Sequence, residues 1–149
     1  MRFFTDKIIK LRFGWNERPL AEVDFFRLCK RFKITVQEMP LTTGGFYYRV
    51  MGKDFIAVDS RLAPQEKLIV LFHELGHFLF HTPETGATAN FHGVGHRTRQ
   101  EIEADVFALC AVMPKSLIAN RRPDELVDDD GFTPEMVEER RGIFVRYGI

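Results

Sequence analysis

The 149-residue sequence has almost no cysteine, no excess of either charge and no long apolar run, and each deficit excludes a class of protein. Its two cysteines, Cys29 and Cys110, both lie in apolar helical stretches. They make no disulfide framework, and a reduced, cytoplasmic setting is the expectation. The 21 Lys and Arg residues balance 21 Asp and Glu residues. That neutrality argues against bulk affinity for nucleic acid, so no direct nucleic-acid partner is expected. No apolar run, such as Leu68 to Phe72, approaches the ~20 residues needed to cross a bilayer, so no membrane partner is expected. The first ten residues interleave charge with apolar groups and offer no signal-peptide core. Repeats and low-complexity tracts are also absent. What the chain does have is a 45% hydrophobic content with 15 Phe, enough to build a core and to exclude wholesale disorder. One domain over 1–149 is expected, with its core at about 18–120 and a C-terminal helix at 132–149.

Hydrophobic spacing predicts the elements. Leu20 to Lys33 repeats apolar residues as an amphipathic helix does. The basic residues Lys7, Lys10 and Arg12 before it, and Lys30, Arg31 and Lys33 at its end, read as solvated charge. Ile34 to Met39 alternates as a short strand stopped by Pro40. Phe46 to Met51 and Asp54 to Asp59, separated by Gly52-Lys53, read as a β-hairpin. Pro64 suits a helix first turn, and Gln65 to Phe80 then places Leu68, Leu71, Phe72, Leu75 and Leu79 on one side. Thr98 to Met113 forms another helix, stopped by Pro114, and Ser116 to Ala119 extends or restarts it. Thr133-Pro134-Glu135 opens a final helix to about Tyr147. Thr82 to His96 and Arg121 to Gly131 read as loops. The Asp128-Asp129-Asp130 run in the second lacks the alternation of a calcium loop. The class is α+β, a small, mostly antiparallel sheet packed against helices.

The chemistry concentrates in His73-Glu74-Leu75-Gly76-His77. Two imidazoles four residues apart share a helical face and can reach one cation, and Glu74 is placed to handle a metal-activated water. A catalytic zinc takes three protein ligands, so a third should come from a second element. Gly76 leaves room for that element to approach. Glu101-Ile102-Glu103-Ala104-Asp105 supplies carboxylates on the next long helix. Glu101 and Asp105 share a face with Ala108, whereas Glu103 projects about 200° from Glu101, towards Val106, Phe107 and Cys110. Glu101 is therefore the expected ligand, with Asp105 orienting a ligand imidazole and Glu103 the alternative ligand.

The segment from Leu68 through His73-Glu74-Leu75-Gly76-His77 to His81, followed by Glu101-Ile-Glu-Ala104-Asp105-Val-Phe107-Ala108 and Val112-Met113-Pro114, resembles the ImmA/IrrE family. The likeness runs from about Ile56 to Pro114. It implies a zincin-like fold, one zinc per chain held by His73, His77 and a second-helix glutamate, and Glu74 as the general base. It also implies a helix-turn-helix repressor as substrate or partner, whose cleavage derepresses mobile-element or stress genes. The ending Ala-Val-Met-Pro replaces a commoner Leu-Met-Pro conservatively.

The remaining polar candidates are weaker. His81 continues the four-residue spacing, but one straight helix does not wrap three consecutive turns around a tetrahedral ion. It reads as a cap or a group behind the ligands. His92 and His96 are candidates for substrate contacts. One of Tyr47 and Tyr48 should face the core. Cys29 and Cys110 read as core residues, and no arrangement supports a cysteine protease. The expected function is a zinc-dependent endopeptidase of narrow specificity. Cleft walls are expected from the hairpin edge Asp54 to Asp59 and the Thr82 to His96 loop, with Gly86, Gly93 and Gly95 in a gate. The alternatives are a non-catalytic regulator that binds and occludes a repressor, or a toxin-antitoxin component of the same fold. Glu74 favours the enzyme, because a purely structural zinc site has no use for a carboxylate beside an open position.

Overall fold

The computed structural model describes residues 1–81, the backbone of 88–91, and 98–149. In chain order the elements are α1 (Arg2–Ile9), α2 (Glu22–Phe32), β1 (Ile34–Met39), β2 (Gly45–Val50), β3 (Lys53–Asp59), α3 (Pro64–His81), β4 (Thr88–Phe91), α4 (Arg99–Val112), α5 (Lys115–Asn120), α6 (Pro123–Asp128) and α7 (Pro134–Tyr147). The chain divides into two compact units, one formed by 21–108 and the other by 1–20 with 109–149. Among the described residues, no helix is long and apolar enough to cross a membrane.

In the unit of residues 21–108, the sheet runs β1-β3-β2-β4. β1 pairs in parallel with β3, while β2 pairs antiparallel with both β3 and β4. The hairpin turn lies at Met51-Gly52, where φ angles of 51° and 73° place both residues in the left-handed region, the conformation of turns whose twist matches the right-handed twist of the adjoining strands. β3 is central, with Ile56, Ala57 and Val58 fully buried, as a strand covered on both faces must be. The expected hairpin edge at Asp54 to Asp59 is therefore an interior strand. Pairing order depends on contacts distant in sequence, and β1 closes over that side. The expected Thr82 to His96 loop also contains a strand, β4, which extends the sheet beside β2.

α3 packs on β2 and β3. Leu71, Phe72 and Leu75 are fully buried, each worth ~1.5–3 kcal/mol of transfer free energy. Phe72 meets Phe25 of α2 edge-on at 5.6 Å and Phe107 of α4 at 6.3 Å. This brings three helices onto one aromatic cluster. The middle of α3, from Leu71 to His77, is buried on every side, so its polar residues lie in the interior.

In the other unit, α1 buries Phe4 and Ile8, one turn apart, and leaves Phe3 and Ile9 exposed. Lys7, expected ahead of the first helix, lies within α1. The expected Arg121 to Gly131 loop holds α6, which starts at Pro123 and anchors on buried Leu126. Asp130 pairs with Arg121 at 2.9 Å, so the acidic run closes this short helix. α7 begins as the sequence suggests: Thr133 Oγ1 accepts from Met136 N–H at 3.2 Å, with Pro134 in the first turn. Arg140 is fully buried and donates to the Met113 carbonyl at 2.6 Å, the Ile149 carbonyl at 3.0 Å and Asn16 Oδ1 at 3.1 Å.

Candidate metal centre

His73 and His77 stand one turn apart on α3 because the helix is unbroken through that stretch. Gly76 lies between them, facing α4. A Cβ there would lie 3.1 Å from Phe107 Cδ1 and 3.4 Å from Ala104 Cα. The glycine thus permits the close approach that carries Glu101 to the imidazoles.

Three donors converge. His73 Nε2 lies 3.0 Å from His77 Nε2 and 3.2 Å from Glu101 Oε2, and His77 Nε2 lies 3.0 Å from Glu101 Oε1. Zinc with bonds of about 2.0–2.1 Å to nitrogen and oxygen has donor–donor edges of about 3.3 Å in a tetrahedron. The donor types and separations fit that ion. Among the described residues, His73, His77 and Glu101 are the group that could hold a metal.

The electrostatics favour positive charge here. Burial opposes charging His73, but hydrogen bonds to Asp105 and Glu101, with the charges of Asp105 and Glu74, outweigh it and push the ring up to about 9. A cation at the three donors would take the place of that proton. Glu74 is fully buried and follows His73 directly on α3. The exposure at the site lies on the α4 side, where the side chains of Glu101 and Asp105 each retain 27%.

Asp105 reaches His73 from behind, its Oδ1 2.7 Å from Nδ1. Glu103 does not join the three donors. Its Oε2 lies 2.9 Å from His81 Nε2, and its Oε1 accepts from Arg99 Nε at 2.8 Å. The helical-wheel expectation turned Glu103 away from the motif helix, but the last turn of α3 extends far enough for His81 to meet it. Burial raises the Glu103 carboxyl, yet the bonds to His81 and Arg99 prevail and hold it below its ordinary value. His81 Nδ1 in turn lies 3.1 Å from His77 Nδ1. The sequence, through the third histidine at four-residue spacing, pointed to His81 as a cap or a group behind the ligands, but its contact with Glu103 was not read from it.

Tyr47 is fully buried and donates to Asp54 Oδ1 at 2.6 Å, so its phenol is engaged within the hairpin. Tyr48 is partly exposed and stacks on Phe55 at 4.9 Å. His92, His96, Gly86, Gly93 and Gly95 lie outside the described residues. Cys29 and Cys110 are buried free thiols.

A model of the IrrE N-terminal-like domain, a peptidase family, matches residues 29–140. No curated protein and no solved structure matches the chain. The family match spans well over half of the sequence and takes in α3, α4 and the three convergent donors. The chain belongs to the ImmA/IrrE family of metallopeptidase-like proteins.

Proposed function

We propose that the chain is a zinc-dependent endopeptidase of narrow specificity that cleaves a helix-turn-helix transcriptional repressor in the cytoplasm, derepressing mobile-element or stress genes. The observation that carries the reading is the convergence of His73, His77 and Glu101, with Glu74 next to the first of them. His73, His77 and Glu101 are the residues that would hold one zinc. When bound, zinc supplies Lewis acidity, lowering the pKa of a water towards neutrality and polarising the scissile carbonyl. Glu74 would accept the proton of the attacking water and pass it to the leaving amine as the C–N bond breaks. Glu74 is fully buried and its charge acts on His73, so its carboxylate is little screened by solvent. Asp105 would hold the His73 ring with Nε2 turned to the ion, through the bond at Nδ1.

An extended substrate segment can be held by main-chain pairing at a sheet edge, which orients it with little sequence preference. The outer strands here are β1 and β4. Selectivity would then come from access and from recognition of the folded repressor, with the target bond in an accessible linker.

The test incubates zinc-loaded protein with helix-turn-helix repressors from the same genome, those of neighbouring genes first, and identifies products by mass spectrometry. One linker cleavage is expected, abolished in Glu74→Gln, with casein cut slowly or not at all. An intact repressor, bound stoichiometrically by both wild type and Glu74→Gln, would instead indicate occlusion without hydrolysis.

A further inference from the structure

We infer that His81 and Glu103 are positioning residues for the metal centre, acting through His77. The inference rests on the metal-site reading above, in which the Nε2 atoms of His73 and His77 face the ion.

A neutral imidazole has one N–H and one lone pair. A ring that offers Nε2 to a metal must carry its proton on Nδ1, and that proton needs an acceptor when the ring is buried. For His73 the acceptor is Asp105, 2.7 Å from Nδ1. For His77 the atom facing Nδ1 is His81 Nδ1 at 3.1 Å. Only one polarity suits a liganding His77: it donates from Nδ1, and His81 accepts with its own Nδ1 lone pair. The His81 proton then sits on Nε2, where Glu103 Oε2 accepts it at 2.9 Å. The reverse polarity would place the His77 proton on Nε2, among the donors themselves.

The line is sheltered from water. The side chains of His77 and His81 are 2% and 4% exposed, and that of Glu103 is 14% exposed. Arg99 holds the other Glu103 oxygen from an exposed position and fixes the carboxylate from its far side. Both ligand rings are thereby backed by an acid on α4, His73 directly and His77 through one intervening imidazole. Outer partners of this kind typically contribute ~10–100-fold in metal affinity.

The experiment measures zinc affinity by competition with a chromophoric chelator in wild type, His81→Ala, Glu103→Ala, the double alanine variant, and the size-matched pair Glu103→Gln and Glu103→Met. Each single alanine variant should bind zinc ~10–100-fold more weakly, with the double variant no weaker than the worse single one, because all break one line. Glu103→Gln, whose amide oxygen can still accept, should keep most of the affinity that Glu103→Met loses. Nitrogen NMR of the zinc-loaded chain should find the His77 proton on Nδ1. If an alanine variant fails to fold, the Gln–Met pair decides alone. Equal binding by Glu103→Met and wild type, or equal losses in Glu103→Gln and Glu103→Met, would overturn the inference. Failure of the wild type to bind zinc would instead overturn the metal-site reading on which it rests.

Discussion

Asp105 Oδ1 lies 2.7 Å from His73 Nδ1, one helical turn beyond the carboxylate of Glu101 that faces the Nε2 atom of the same ring. One face of α4 therefore addresses both nitrogens of a single imidazole. Removing the two carboxylates should have different consequences. Glu101→Ala takes away a donor and should weaken zinc binding severely. Asp105→Ala leaves the donors and loosens a ring, so a loss of ~10–100-fold is expected. Competition titration of the two variants measures both, and a larger loss in Asp105→Ala would reverse these roles.

Gly76→Ala tests the helix approach. The added methyl would press on Phe107 and Ala104, and overpacking of this kind costs ~1–3 kcal/mol. The better helix propensity of Ala offsets about 1 kcal/mol of that. Urea unfolding should show a net destabilisation of ~0–2 kcal/mol, by the difference of those magnitudes. Zinc affinity should fall as well, because Glu101 moves with its helix. Unchanged affinity would mean that the close approach is dispensable.

Arg140 ties together the unit of residues 1–20 and 109–149 through three donated hydrogen bonds. Arg140→Ala leaves the Met113 carbonyl without that donor and opens space in a buried position. A loss of about 3 kcal/mol is expected by denaturant unfolding. A change below about 0.5 kcal/mol, the level of an ordinary surface substitution, would contradict the assignment.

The cysteines predict an alkaline limit. Burial pushes the Cys29 thiol up to about 12, and burial pushes Cys110 up to about 11 despite the nearby Arg140 charge. A group raised in the folded state above its unfolded value of 9.0 resists ionisation only while the chain is folded. Its contribution to stability is complete below pH 9 and is lost as pH rises towards 11–12. Stability measured from pH 8 to 11 should fall, and this part of the fall should vanish in Cys29→Ala/Cys110→Ala. Thiol labelling at neutral pH should be slow until the chain unfolds.

Much of this site was legible in the sequence because its information is local. The spacing of His73 and His77 fixes a shared face once the helix is granted, and Glu101 and Asp105 repeat the same four-residue logic. The α7 start was legible for the same reason, since Thr133 and Pro134 carry their own capping chemistry. The unread parts depend on distant partners or on short elements. α1 and α6 have eight and six residues, too few for a convincing periodic signal. The central position of β3 follows from β1 pairing across a gap in sequence. The contact of Glu103 with His81 depends on where α3 ends relative to α4, which no helical wheel contains. Arg140 reads as one surface charge among several until Asn16 and Met113 are brought around it.

In the proposed function, His73, His77 and Glu101 hold one zinc ion for Glu74 to use. Metal analysis after reconstitution and desalting tests it most directly, applied to wild type, Glu74→Gln and His73→Ala/His77→Ala. About one zinc per chain is predicted in wild type and in Glu74→Gln, with none in the double alanine variant. Stoichiometric zinc in the double alanine variant, or no zinc in the wild type, would contradict the account.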